Sequence, residues 1–322
     1  MRIHISLPLL LLFTVSVPAG DLSVTYEPGE GPGAGKHIVL LSGDEEYRSE
    51  EALPMLGQIL SQHHGFKCTV LFSVNDEGII DPDNQKSLSD PEALDSADLI
   101  VMALRFRNWP DATMKHFVDA YHRGVPIVAL RTSTHAFRMK GDSSYKDYSS
   151  FGKRVLGEGW VSHWGHHKKQ GTRGVIEPGM EKAPILRGVE DVFGDSDVYE
   201  AHPPEDVRIL LRGAVTETLE PDSKPIKGPK NDPMQPVAWT RTFKNDAGTT
   251  NRIFCTTMGA ATDLASEGLR RLVVNAVYWG LGMEESIPAK AEVTPVTPFK
   301  PTPFGFKGAK KNMRPADYAL KK

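Results

Sequence analysis

The stretch that decides the architecture is His37-Ile38-Val39-Leu40-Leu41-Ser42-Gly43, followed directly by Asp44-Glu45-Glu46-Tyr47-Arg48. A short apolar run ending in glycine suits a strand buried on both faces of a parallel sheet. The next segment, Ser49–His64, places Leu53, Leu56 and Leu60 on one helical face, and Met55 and Ile59 widen that stripe. Pro54 is awkward inside such a helix, so regular α-structure is expected only from about Leu53. Further strands are predicted at Lys67–Ser73, Ala97–Leu104 and Pro126–Arg131, with a helix from Asp111 to the Arg123-Gly124 pair, where the glycine suits a C-cap. Alternation of this kind means parallel strands joined by helical crossovers, hence a doubly wound, mostly parallel α/β sheet.

Beyond the fourth strand the periodicity weakens. Residues 140–170 are rich in Gly, Ser, Tyr, Trp and His and read as long loop insertions with short helices. Later strands are expected at Thr172–Ile176, Val207–Val215, Pro236–Phe243 and Arg252–Thr257, and Glu220–Pro233 reads as an exposed excursion. The last helix runs from about Asp263 to Leu281, with Leu269, Leu272, Val273, Ala276 and Val277 in one stripe, and Thr262 or Asp263 as its expected N-cap. Residues 36–285 therefore form the α/β domain, 20–35 a Gly/Pro-rich leader, and 286–322 a Pro/Lys-rich tail, extended rather than packed. Residues 1–19 read as a cleaved secretory signal. Arg2 and His4 precede the apolar run Leu7–Val17, which is too short to span a bilayer and ends in Val17-Pro18-Ala19-Gly20. A secreted or periplasmic location follows as an expectation.

The chain of 322 residues is 39% hydrophobic and 25% charged, a composition that excludes general disorder. Lys and Arg number 38 against 41 Asp and Glu, a net charge of −3, which provides no electrostatic footprint for nucleic acid or an anionic membrane. Two cysteines, Cys68 and Cys255, exclude a disulfide scaffold and any Cys-only zinc site, and whether they pair is left open.

In an open parallel sheet, ligands bind outside the carboxyl ends of the strands, where crossover loops and helix N-termini gather. The first strand delivers Asp44 to Arg48 there. Asp44 suits a general base or ligand and Arg48 a binding role, both ahead of Glu46, although acids are also common at a helix start. The third delivers Arg105-Phe106-Arg107-Asn108-Trp109. Guanidinium groups suit vicinal oxygens, and the competing expectation is an internal ion pair with the Asp44–Glu46 loop. The fourth delivers Arg131-Thr132-Ser133-Thr134-His135. It does not match Gly-x-Ser-x-Gly, so a nucleophilic Ser133 is disfavoured and Thr132 or Thr134 reads as a helix cap, whereas capping does not require His135.

The richest stretch is Trp160-Val161-Ser162-His163-Trp164-Gly165-His166-His167. Its imidazoles suit proton transfer near neutral pH, and His163, His166 and His167 could hold a divalent metal, though no Glu and an internal Gly set it apart from His-Glu-x-x-His. The competing reading is a polar aromatic loop over the sheet. His202 is a distal candidate, and Gly259, in Met258-Gly259-Ala260-Ala261-Thr262-Asp263, permits close backbone approach to a ligand.

These motifs, with Leu41–Arg48, Leu104–Arg107, Leu130–Phe137, His163–His167 and Thr257–Asp263 in this order, resemble the secreted branch of ThuA-like (trehalose utilisation) proteins, in the class I glutamine amidotransferase-like superfamily. The likeness covers roughly residues 36 to 285. It implies a flavodoxin-like fold and a link to sugar metabolism. It does not imply amidotransferase activity, because the elbow after the fourth strand carries Thr132, Ser133 and Thr134 and no cysteine. The expected activity is hydrolysis, elimination or isomerisation of a sugar or keto-sugar. His135, His163 and Asp44 would move protons, and Arg48, Arg105, Arg107, Arg131, Trp164 and Gly259 would bind substrate. The rival is a non-catalytic carbohydrate-binding module. The expected partner is a small sugar or glycoside, with self-association left open.

Overall fold

The computed structural model describes residues 22–321, so the signal-peptide expectation for residues 1–19 lies outside the described residues. Five strands form the parallel centre: β2 (His37–Gly43), β3 (Lys67–Phe72), β4 (Leu99–Leu104), β5 (Ile127–Leu130) and β10 (Thr250–Thr256), in spatial order β3-β2-β4-β5-β10. Successive side chains alternate between two cores, as a pleated strand requires. Ile38, Leu40, Val101 and Leu130 face helices α1 (Ser49–Gln62) and α3 (Glu267–Gly280), while Val39, Leu41, Ile100 and Met102 face α2 (Asp111–His122). The sheet is therefore wound on both faces, as read from the sequence.

The sheet continues antiparallel on both sides. β9 (Gln235–Lys244), β8 (Val207–Val215), β6 (Thr172–Ile176) and the short β7 (Phe193–Gly194) extend it beyond β10. On the far edge β1 (Ser23–Tyr26) pairs with β3, so part of the Gly/Pro-rich leader is a strand of the sheet. Residues 131–171 contain only short 3-10 and π turns. Cys68 and Cys255 are free and buried. Among the described residues no helix is long and apolar enough to cross a membrane.

Three local expectations are corrected. Helix α1 is regular from Ser49, with Pro54 in its second turn, because Arg48 takes a left-handed conformation (φ 59°) and starts the helix directly after the strand loop. The final helix is interrupted. A 3-10 turn, Asp263–Ala265, precedes α3, whose N-cap is Ser266, accepting from the Leu269 N–H. Asp263 is buried and accepts instead from the N–H groups of Gly259, Ala260 and Ser196. The carboxyl-terminal segment is packed rather than free: Ile287, Ala291 and Val293 are buried in the α1/α3 core, and Tyr318 stacks on Phe72 at 5.9 Å.

Candidate functional site

At the carboxyl ends of β2, β4 and β5, side chains from distant stretches of chain meet. The organising group is Asp197, a buried carboxylate on the segment Asp195–Glu200. The loop Trp160–His167 runs beside it, held by Trp164 and Gly165 N–H bonds to Val198 O (2.8 and 3.0 Å) and by an antiparallel bridge of His163 with Tyr199. Gly165 permits this approach, since a Cβ there would lie 3.2 Å from the Asp197 Cβ. Asp197 Oδ2 bonds His163 Nδ1 at 2.7 Å, and Oδ1 bonds His167 Nδ1 at 2.9 Å. Beneath them the Arg131 guanidinium donates to Asp197 Oδ1 (3.1 Å) and to the carbonyls of Asp197 and Thr257. It lies 3.7 Å from the Tyr199 ring centroid and 4.6 Å from that of Tyr47.

Burial opposes the charge of Asp197, but the bonds from His163 and His167 and the Arg131 charge outweigh it and hold the carboxyl well below its usual range. The converse appears at His167. Its bonds to Asp197 and Glu46 outweigh burial and raise the imidazole to about 9. Its Nε2 lies 3.3 Å from Glu46 Oε1, so His167 is an imidazolium clasped by two carboxylates at neutral pH. His163 has one nitrogen on Asp197 and a side chain 39% exposed.

His135 behaves in the opposite way. It ends a 3-10 turn, Arg131–His135, that starts from a left-handed Arg131 (φ 45°), and it is buried between Phe106 (4.8 Å) and Trp160 (5.2 Å). Burial, then the charges of Arg105, Arg131 and Arg138, lowers it to about 3, so it is a neutral imidazole whose Nδ1 meets Thr134 Oγ1 at 3.1 Å. Contacts then close a circuit: His135 to Trp160, Trp160 to His163 (4.9 Å), His163 to His167 (4.5 Å), His167 to Glu46, Glu46 to Arg105 (3.8 Å), Arg105 to Phe106 (4.8 Å) and back to His135.

Other sequence-derived candidates take different places. Asp44 is buried and accepts from the N–H groups of Glu46 (2.7 Å) and Tyr47 (3.0 Å) and from the Thr132 hydroxyl. Burial outweighs these bonds and raises its carboxyl. It ties one strand loop to another, whereas Glu46, a weaker candidate from sequence, reaches the His167 imidazole. Thr132 is thereby spent on Asp44 and does not cap a helix. Ser133 Oγ donates to Met102 O (2.9 Å) and accepts from Leu104 N–H (3.2 Å), a latch between β4 and β5.

The alternative read for Arg107 is what the structure shows: a fully buried guanidinium on Glu45 (2.6 Å) and the Pro82 carbonyl (3.0 Å). Arg105 also binds Glu45 (2.5 Å) but keeps its side chain 19% exposed at the circuit. Arg48 is buried against the Gly305 carbonyl. Trp164 bonds Lys230 O (2.8 Å) through its indole N–H, away from the imidazoles, and Gly259 packs on Leu130 with its N–H on Asp263. His166 is exposed and lies outside the imidazole pair, and His202 bonds Glu200 at 2.9 Å.

Sequence reasoning missed Asp197, Tyr47, Tyr199 and the tail aromatic Phe304, which stacks on Tyr47 at 5.1 Å. The run Asp195-Ser196-Asp197 was the available signal, but nothing in it announces which loop it lies under. Among the described residues one group could hold a metal ion: His163, His167 and Asp197, whose ligand atoms lie within 4.8 Å of one another. A separate cavity of about 530 Å³, lined by Phe193, Asp195, Thr262, Ser266, Arg271 and Pro301 among others, contains none of these imidazoles.

A sheet with a parallel centre wound on both faces, and a polar cluster at the carboxyl ends of its central strands, defines an α/β protein of the flavodoxin-like kind. The ThuA family model, described as "Trehalose utilisation", matches residues 38–280, and the chain belongs to that family. A ThuA-like protein from Parabacteroides merdae shares the fold with a TM-score of 0.51 at 16% identity, covering 89% of this chain and 99% of its own. Another from Bacteroides uniformis aligns with a TM-score of 0.47 at 13% identity, over 79% of this chain and 94% of its own. No curated protein matches the chain.

Proposed function

We propose that this protein is an exported enzyme that acts on a sugar or keto-sugar by proton transfer, with His163 as the base and His167 as the cation beside it. The observation that carries the reading is the sharing of Asp197 by two imidazoles. A carboxylate on Nδ1 fixes the Nδ1–H tautomer and turns Nε2 outward as a proton acceptor. His163 then takes a proton from a hydroxyl, or from a carbon beside a carbonyl. The His167 imidazolium and the Arg105 guanidinium, already in place, stabilise the negative charge that develops on oxygen. His135, kept neutral, acts as an uncharged hydrogen-bonding wall. The family description supports the sugar class, and the exposed ring of Trp160 suits the apolar face of a pyranose. The reading excludes glutamine amidotransfer, since the elbow carries hydroxyl residues and Ser133 is consumed by backbone bonds.

The metal grouping favours a second reading. Two imidazoles and a carboxylate suit a zinc- or iron-type divalent ion, which would polarise a sugar oxygen. Arg131, already seated on Asp197, favours the metal-free reading by supplying positive charge there.

The test is a turnover screen of the purified protein on sugars, glycosides and keto-sugars, together with its metal content. His163→Ala and Asp197→Asn are expected to lower kcat by about 10²–10⁴-fold with circular dichroism unchanged. Sugar binding with no turnover on any substrate would establish the non-catalytic module instead. Stoichiometric metal lost in His163→Ala would establish the metal centre.

A further inference from the structure

The cavity of about 530 Å³ outside the imidazole circuit is built from separate stretches of chain. Phe193 and Asp195 come from β7 and the segment after it, and Leu219 and Pro221 from the loop that follows β8. Thr262 and Arg271 come from the start of α3, and Lys290 and Pro301 from the carboxyl-terminal tail. Its walls are tied to one another. Ser266 Oγ accepts from Phe193 N–H and donates to Asp191 O, both at 3.2 Å. The Arg173 guanidinium donates to the Pro221 carbonyl and lies 5.4 Å from the Phe193 ring centroid. Thr302, next to Pro301, bonds the Glu51 carboxylate through its N–H (3.0 Å) and its hydroxyl (2.6 Å). A preformed cavity of about 300–1,000 Å³, largely apolar with a few fixed polar groups, is the usual form of a small-molecule site.

The charges around the cavity decide what it can take. Each nitrogen of the Arg271 guanidinium is engaged: Nε with Ala291 O (3.1 Å), Nη1 with Gly188 O (3.2 Å) and Nη2 with the Glu267 carboxylate. Lys290 lies 3.8 Å from that same carboxylate, so both lining cations are answered by Glu267. The other lining carboxylates are the half-buried Asp195 and the exposed Glu190 and Asp191, and among the described residues none of the three forms an ion pair. Asp195 Oδ1 accepts from the Thr262 hydroxyl at 2.5 Å. Burial and the charge of the neighbouring Asp263 raise the Asp195 carboxyl above its usual range, against the opposing pull of Thr262 and Arg131. A cation entering the cavity relieves this repulsion, and an anion adds to it. Phe193, Leu219, Pro221 and Pro301 supply apolar wall for the body of the ligand.

We propose that this cavity is a second ligand site and takes a small organic amine, with its ammonium group on Asp195 and its apolar body against Phe193, Leu219 and Pro301. The site shares no side chain with the imidazole circuit, so it does not depend on the sugar chemistry assigned there.

Titration calorimetry of the full chain at pH 7 tests the site, with phenethylamine and cyclohexylmethylamine as probes. 2-Phenylethanol and 3-phenylpropionate serve as the neutral and anionic counterparts. A hydrogen bond to a charged group corresponds to about tenfold in affinity or more. At least one amine is expected to bind in a one-to-one complex, about tenfold tighter than 2-phenylethanol. 3-Phenylpropionate should bind more weakly than either. Asp195→Asn should remove the preference for amine over alcohol with circular dichroism unchanged. Leu219→Trp, on a partly exposed loop, fills the cavity with every carboxylate in place and should weaken the amine by about tenfold or more. His163→Ala should bind it as wild type does. Should Asp195→Asn lose the native spectrum, Leu219→Trp decides alone. The site is overturned by no saturable binding of either amine, by an alcohol bound as tightly as the amine, by amine binding that survives Leu219→Trp, or by binding lost in His163→Ala.

Discussion

Asp197 shows how one residue can set the chemistry of several others. A buried carboxylate with a single imidazole would yield one oriented base. With two imidazoles and Arg131 it holds one ring, His163, by a single nitrogen and keeps the other, His167, as a cation within ring-contact distance. His135 is tuned the other way. Its folded value of about 3 lies below the ordinary 6.5, so the unfolded chain takes up a proton first as pH falls. The neutral, folded form therefore contributes stability above about pH 6.5 that is lost as the pH drops towards 3. His135→Gln, which cannot titrate, should lose less stability than wild type between pH 7 and pH 4 in urea unfolding. An equal loss would contradict the burial argument. From sequence, His135 and the His163–His167 run stood out because nothing structural requires imidazoles there. Asp197 did not, because its partners His163 and His167 come from another loop, which is set over it by the bridge with Tyr199 and the Trp164 and Gly165 bonds to Val198.

At the scale of elements, the strands were legible because a strand buried on both faces is a continuous apolar run. β2 is of this kind and falls on the residues expected from the sequence, as do the half-exposed β6 and β8, which are set off by the turn-rich segments around them. β1 was not legible: Ser23-Val24-Thr25-Tyr26 is short, lies at an edge, and becomes a strand only by pairing with β3. The broken start of α3 was hidden for a related reason, since Asp263 has the residue type of a cap but is claimed by Ser196 and the Gly259 turn. The turn after β5 is equally demanding. A Cβ on Gly152 would overlap the Thr134 carbonyl oxygen, next to His135, and that neighbour is backbone that cannot swing aside. Gly152→Ala should cost about 3 kcal/mol or more in urea unfolding. A cost below about 0.5 kcal/mol, the range of an ordinary surface change, would contradict the packing described for this turn.

Over the whole molecule, the sheet brings together groups that the chain keeps far apart. Glu46 follows β2, Arg105 follows β4, Arg131 and His135 follow β5, and the imidazole loop and Asp197 lie on either side of β6. The tail then returns over the first of these loops, an arrangement its Pro/Lys-rich composition did not reveal, because the bonds that seat it on Glu46 and Arg48 are made by the Gly305 backbone. The assembled rim is the central claim, and the titration of His167 tests it most directly, because its clasp exists only if Glu46 and Asp197 converge from opposite ends of the fold. In side-chain nitrogen NMR of the full chain, the His167 imidazole should titrate at about 9 and move towards 6.5 in Asp197→Asn. A wild-type midpoint already near 6.5, unmoved by that substitution, would contradict the account.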